Sequence, residues 1–302
     1  MSISVTDLTP EMIAADRERF PRIFSLTAGE RILRTVLWVS GAILIFSSLN
    51  EFGFFSEKFW GSFARLGIMI DQMFPPTGWE FMDEYTHAIG ETLAMAFIGS
   101  LVGGILAIPF ACIASKNLMP VRPIQFGARR FADVLRASDY LIWGLIFVRA
   151  MGLGPVPGIM AIIVIDTGIL ITLYSEALEN IDRKPIDGIK AAGGSRIQVL
   201  RYGVMPQVLP VILSNALYMF ESNTRAATIL GIVGAGGIGF LLSDNLRAFE
   251  FSNALTIILM IIVVVYGIDY LSKRLRERFI YGDRVSQGHE RPMEEIAAQM
   301  KK

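Results

Sequence analysis

Five stretches of this chain stay apolar for nearly the length that crosses a bilayer, and no other feature constrains its fold as much. A helix needs about 20 mostly apolar residues to cross ~30 Å of hydrocarbon. Ile32 to Leu49, Ala88 to Ala114, Pro155 to Tyr174, Pro206 to Phe220 and Asn253 to Leu271 come near this; the fourth is short but extends to Asn223. Composition agrees. Hydrophobic residues make up 53% of the 302 and mean hydropathy is +0.49, whereas water-soluble domains hold roughly 45–50% apolar residues even with glycine counted. The expected fold is an all-α polytopic membrane protein.

Charge distribution asks for a sixth span. Lys and Arg collect on cytoplasmic connections, and here they form four groups: Arg17, Arg19, Arg22, Arg31 and Arg34; Lys116, Arg122, Arg129 and Arg130; Arg183, Lys184, Lys190, Arg196 and Arg201; and Lys273, Arg274, Arg276 and Arg278. All four lie on one side only if a weaker segment, about Ile124 to Met151, also crosses. The other side then receives the acid-rich stretch Glu51 to Glu84, the turn "GLGPVPG" and the loop "GIVGAGGIG", and both termini face the cytoplasm. This divides the chain into an N-terminal tail (1–30), a transmembrane domain (31–280) and a C-terminal tail (281–302). The first twenty residues lack the basic-then-apolar order of a signal peptide. Zero net charge gives no global attraction to nucleic acid.

Between the fourth and fifth of the six spans lies "PIDGIKAAGGSRIQVLRYGVMPQVLP", within a polar connection of about 183–205. Ile186, Ile189, Gly193, Ile197 and Leu200 recur at helical spacing and predict one apolar stripe. Gly193 and Gly194 interrupt that helix at roughly 1 kcal/mol each relative to alanine, which points to a bend or a close backbone approach. Pro206 and Pro210 start the next span, where a missing N–H costs least. Such a helix suits either the lipid surface or a groove on a cytoplasmic partner.

The spacing Asp187-Gly188-Ile189, three residues, Gly193, nine residues, Gly203-Val204-Met205-Pro206 resembles the coupling loop of ABC-importer permeases, with Asp187 in place of Glu and Gly188-Ile189 in place of Ala-Ala. "LIWGLIFVRAMGLGPVPG", "YSEALENID", "RAATILGIVGAGGIG" and "MFPP" add to this, and from about Thr86 to Arg278 the chain is similar to the phosphonate-transporter permease subfamily. The resemblance implies a five-helix importer-permease core of the methionine-importer type plus one N-terminal helix. It also implies a dimer with a second copy or a paralogue, two ATP-binding subunits seated on the coupling loop (Asp187, Gly188, Ile189, Gly193, Ile197, Met205 and Pro206), and an extracytoplasmic solute-binding protein in a bacterial inner membrane. The chain has no G-x-x-x-x-G-K-[ST], so ATP belongs to another polypeptide and no cofactor is expected here.

Ionisable residues at membrane depth are functional candidates by default. Arg136 and Arg225 are candidates to line a path for an anion, since guanidinium presents paired donors to phosphate-like oxygens; pairing with an acid such as Glu221, or snorkelling, explains them equally. Asp139 and Asp166 stand where the subfamily usually has proline and histidine. They oppose an anionic solute unless they pair with Arg136 or Arg149 or are protonated. They also make a rival reading available, an ion-coupled secondary transporter, although no inverted repeat supports it. Glu91 fits capping or interface polarity as well as transport. Gly99 and Gly103 suit close helix packing within the subunit or across a dimer. His87 and His289 stand far apart without a carboxylate or thiolate cluster, so no metal site is assigned, and no catalytic grouping suggests a membrane-embedded enzyme.

Gly234, Gly236 and Gly239 match the G-x-G-x-x-G spacing of a dinucleotide turn. No strand feeds them, so the better expectation is an irregular or re-entrant external segment, a gate or docking loop. There the N–H groups of Gly234, Gly236 and Gly237 are candidates to cradle an oxyanion.

Overall fold

The computed structural model describes residues 28–286, all helix and connection with no strand among them. Arg17, Arg19, Arg22, His289 and most of both tails lie outside them. The chain divides into two units at Asp71/Gln72. In the first, α1 (Ala28–Glu51) is the apolar N-terminal helix and α2 (Glu57–Met73) follows after a short turn. The acid-rich stretch read as a connection is therefore largely helical, and Phe54, Phe59, Trp60 and Phe63 stack along this turn and helix.

The second unit holds α3 (Met82–Ala114), α4 (Arg122–Arg136), α5 (Tyr140–Met151), α6 (Pro155–Glu179), α7 (Arg183–Ala191), α8 (Met205–Leu230), α9 (Gly237–Arg247) and α10 (Phe251–Ser286). Among the described residues, five helices are long and apolar enough to cross a membrane: α1, α3, α6, α8 with its flanking turns, and α10. The sixth expected span is instead a broken pair. The polar helix α4 stops at Arg136, and Asp139 caps α5 by accepting a hydrogen bond from Leu141 N at 2.9 Å. Asp at an N-cap position competes for the backbone and starts a new helix. The remaining apolar piece has 12 residues, about 18 Å of helix and too short to cross by itself; because α3 and α6 run parallel, α4 and α5 together return the chain to the opposite end.

The core is built on α3 and α6, which run parallel in a fixed register. A Cβ at Gly99 would lie 2.5 Å from Ile162, and one at Gly103 would lie 2.9 Å from Asp166. Both pairs are offset by 63 residues, as is the hydrogen bond from Lys116 N to Glu179 Oε1 at 2.6 Å. Of the two roles open for Gly99 and Gly103, packing within the subunit is the one observed. Lipid supplies no hydrophobic drive between helices, so close approach along small residues holds them by dispersion. Met95, Ala96, Ala161, Ile162, Ala227 and Leu230 fill the seam where α8 joins.

Two basic connections meet at one end of this unit. Arg129 pairs with Glu179 at 2.6 Å, and Asn117 Nδ2 donates to the carbonyls of Leu178 and Glu179. The glycine-rich turns meet elsewhere, where Gly154 N donates to Gly234 O at 3.1 Å.

Candidate functional site

The connection between α6 and α8 is short, rigid and exposed. Asp182 caps α7 through Lys184 N (3.0 Å), and Ser195 and Gln198 form a reciprocal capping box at the next turn. Gln207, in the first turn of α8, closes the loop on itself. Its Oε1 accepts from Asp182 N (2.9 Å), while its Nε2 donates to Asp182 O (3.2 Å) and Gly203 O (2.6 Å). A single amide thus holds the entry and the exit of the loop together.

The expected single stripe divides in two. Ile186 and Ile189 turn inward onto Gly203, where a Cβ would come within 3.2–3.3 Å of them. Ile197 is 75% exposed, and Leu200, Tyr202 and Met205 are also exposed. Asp187 and Gly188 lie on the exposed face of α7, and Pro206 occupies the first turn of α8. The helix ends at Ala191, and Gly193 turns the chain at φ +79°. Left-handed backbone of this kind is what glycine supplies after a helix end, so the bend expected at Gly193 is present. Gly194 makes the close approach: a Cβ there would lie 2.8 Å from Ile189 O.

The candidate charges separate into three environments. Arg136 is tied to Asp133 on its own helix, Nη2 to Oδ1 at 2.8 Å. Asp139 caps α5. Asp166 is fully buried at 0% exposure, where its Oδ1 accepts from Tyr140 OH (3.2 Å) and its Oδ2 from Asn223 Nδ2 (2.5 Å). Asn223 also donates to Ser100 Oγ at 2.8 Å, which ties α3, α5, α6 and α8 into one buried polar cluster. Of the alternatives open for Asp139 and Asp166, pairing with Arg136 or Arg149 is not the one found. Asp166 is satisfied by neutral donors and Asp139 by a backbone amide, as a buried carboxylate and a helix cap require.

Arg225 is different. Its Nη1 donates to both carboxylate oxygens of Asp269 on α10, at 3.0 and 3.1 Å, and its Nη2 lies 3.9 Å from Glu221. Glu221 is held in turn by Arg276, also on α10. Asn223, two residues before Arg225, meets Ser100 near the midpoint of α3, so Arg225 lies close to the level of the middle of α3. Arg225 and Asp269 are 46% and 39% exposed on the subunit surface.

The glycine turn is packed into the subunit. Gly234, Gly236 and Gly237 have φ +105°, +77° and +69°, and a Cβ at Gly237 would press on Thr92 and Met95 of α3. Those residues lie ten and thirteen positions into α3, about 15–20 Å from its first residue. The turn is thus re-entrant and does not project as an external loop. Two of its donors are already taken: Gly237 N donates to Glu91 Oε2 (3.1 Å) and Ile238 N to Thr92 Oγ1 (2.9 Å). A carboxylate at a helix N-terminus satisfies amides that have no partner in their own helix. The oxyanion cradle expected of these glycines is occupied by the subunit's own Glu91, at least at Gly237.

Glu91 was ambiguous in the sequence, and Thr92, Gln207 and Asp269 carried no assignment there. Asp269 had a readable signal, since it is an acid inside the apolar run "YGIDYLSK". The other three depend on partners 25 to 146 residues away.

Residues 105–280, more than half of the chain, match the family described as binding-protein-dependent transport system inner membrane component. The chain belongs to this family. The permease is 38% identical over 190 residues to the phosphite transport system permease protein PtxC of Stutzerimonas stutzeri, covering 63% of this chain and 69% of that one. It is 36% identical over 218 residues to the phosphate-import permease protein PhnE of Mycolicibacterium smegmatis, covering 72% of this chain but 41% of that longer protein. Among solved structures it resembles an inward-facing form of the MetNI methionine ABC transporter, with TM-score 0.58 at 19% identity, over 67% of this chain and 99% of that one. That likeness speaks to fold, and it agrees with the five-helix importer core. The permease is accordingly a multi-pass inner-membrane transport subunit of an ABC importer and not an enzyme; ATP hydrolysis belongs to a separate subunit.

Proposed function

We propose that this permease forms the membrane path for a phosphorus oxyanion, phosphonate, phosphite or phosphate, delivered by an extracytoplasmic binding protein. Two ATP-binding subunits seat on the connection from α6 to α8, a second copy or a paralogue completes the path, and both termini face the cytoplasm. The observation that carries the reading is the identity of 36–38% to permeases named for phosphite and phosphate. The loop supports it physically. A lever must pass motion from ATPase to spans without bending, and Gln207 joins the loop's two ends while Ile197, Leu200 and Met205 remain open for a groove. Arg225 is the residue proposed to meet the anion, because its fork matches two oxygens at once.

The test is reconstitution of the permease with its ATPase and binding protein in liposomes, with ATP hydrolysis measured as each of phosphonate, phosphite and phosphate is added. Stimulation by at least one of them, requiring the binding protein, is the expected outcome. A complex that responds to none of the three but responds to another solute overturns the substrate assignment.

A further inference from the structure

Charged side chains at the middle of spanning helices do not face lipid without a cost of several kcal/mol, so exposed ones face water or protein. Arg225 and Asp269 are such a pair: level with the midpoint of α3 and half-exposed on the isolated subunit. The neighbouring rung, Glu221 with Arg276, is the more buried, at 14% and 24% exposure. Two ion pairs therefore join α8 to α10 with unequal roles. The inner rung lies in a setting where separation is expensive. The outer rung is accessible, and its Arg225 Nη1 is shared between the two oxygens of one carboxylate.

A carboxylate held in that way occupies the place of an oxyanion. Phosphite, phosphonate and phosphate offer a similar pair of oxygens to the same guanidinium, with equal or greater negative charge. We propose that Asp269 is a resident counter-ion for Arg225: the passing oxyanion displaces Asp269 from the guanidinium, and Asp269 then returns to expel it, while Glu221 and Arg276 keep α8 and α10 joined. This rests on the phosphorus reading above and adds to it the means of release. Without Asp269, Arg225 would keep only Glu221 at 3.9 Å, a carboxylate already engaged by Arg276, and would hold an anion too firmly to let it leave. With Asp269, entry and exit are exchanges of one anion for another, so the guanidinium is never left bare, and the displaced carboxylate, 39% exposed, turns to water.

The test reads inhibition from the receiving side, because the binding protein's own affinity governs the response to external solute. In liposomes containing the permease, its ATPase and its binding protein, phosphite is preloaded on the receiving side, and the concentration that halves uptake of labelled phosphite is measured. Asp269→Asn keeps the shape and removes the charge. It is expected to lower that concentration about tenfold, the scale of one charge-assisted hydrogen bond. Asp269→Glu keeps the charge and retains the wild-type value. Arg225→Gln cuts uptake at least tenfold, and the double variant Arg225→Gln/Asp269→Asn behaves as Arg225→Gln alone. An Asp269→Asn complex with unchanged product inhibition overturns the exchange, and so does a double variant with restored uptake, because a pair that merely ties two helices is rescued by neutralising both partners. If Arg225→Gln fails to assemble, comparison of Asn with Glu at 269 still decides. Absence of phosphite, phosphonate and phosphate uptake by the wild-type complex overturns the phosphorus reading and the exchange together; wild-type uptake with unaltered inhibition in Asp269→Asn overturns the exchange alone.

Discussion

Two glycine-rich turns in this permease use the same residue for opposite purposes. Gly193, after α7, stands at φ +79° with nothing within 4 Å of where a Cβ would go. The turn from Gly231 to Gly239 also needs positive φ at three positions, but it is closed in on every side: Gly231 by Gly236 O at 2.6 Å, Gly239 by the Thr228 carbonyl, Gly237 by Thr92 and Met95. The first turn has room but a restricted backbone. The second has a restricted backbone and no room. A turn with open space around it leaves room for something outside the subunit, and a turn without space is part of the subunit's own packing.

Substitutions at the two turns should therefore fail in different ways. The largest effect is expected at the closed turn. Gly239→Val forces side-chain atoms into the Thr228 carbonyl, a backbone atom that cannot rotate away, and overpacking of this kind costs about 3 kcal/mol or more. Melting of the detergent-solubilised permease should drop sharply and little folded protein should reach the membrane. A Gly239→Val permease with near-normal melting would mean that α8 and α9 are not locked at this point.

Gly193→Trp comes next. The left-handed conformation costs an ordinary residue about 1–2 kcal/mol, borne by an exposed loop, so insertion and melting should stay close to wild type while solute uptake per ATP hydrolysed falls severalfold. Gly193→Asn is the control, because Asn visits this conformation more readily and presents a small side chain. Normal uptake by Gly193→Trp would remove the docking role from the loop and with it the contrast between the two turns.

A smaller effect is expected from Gln207→Ala. It deletes three hydrogen bonds that close the loop, each worth about 0.5–1.5 kcal/mol net. Water can replace some of them at this exposed end. Hydrolysis should continue while transport per ATP declines by roughly twofold to fivefold, in keeping with a lever that has gained slack. If coupling is unchanged, the rigidity of the loop must come from the packing of Ile186 and Ile189 on Gly203 instead.

What could be read in the sequence follows from which interactions are local. Five spans were legible because twenty apolar residues need no partner to be recognised, and the α7 turn was legible because glycine spacing and helical periodicity lie within one segment. The sixth segment is not one continuous helix, for a local reason that was visible in the sequence: Asp139 is a cap, and Arg129, Arg130, Asp133 and Arg136 make α4 polar. The register of α3 on α6, the neutral partners of Asp166 and the capping of α9 by Glu91 were not legible, since each joins residues tens of positions apart. Asp269 lies between these cases. Its presence in an apolar run was readable, but its partner Arg225, 44 residues away, was not.

The smallest predicted effect separates transport driven by ATP from transport driven by ions. Asp139 accepts from Leu141 N at the start of α5, and Asn serves as an N-cap about as well as Asp, within a few tenths of a kcal/mol. Asp139→Asn should leave melting, uptake and the pH dependence of uptake as they are. A proton- or sodium-carrying aspartate cannot be replaced by Asn in that way, because the amide neither ionises nor balances a cation. Loss of uptake in Asp139→Asn with unaltered melting would therefore restore an ion-coupling role to this residue, and would require that the break between α4 and α5 serve as part of the path in addition to starting a helix.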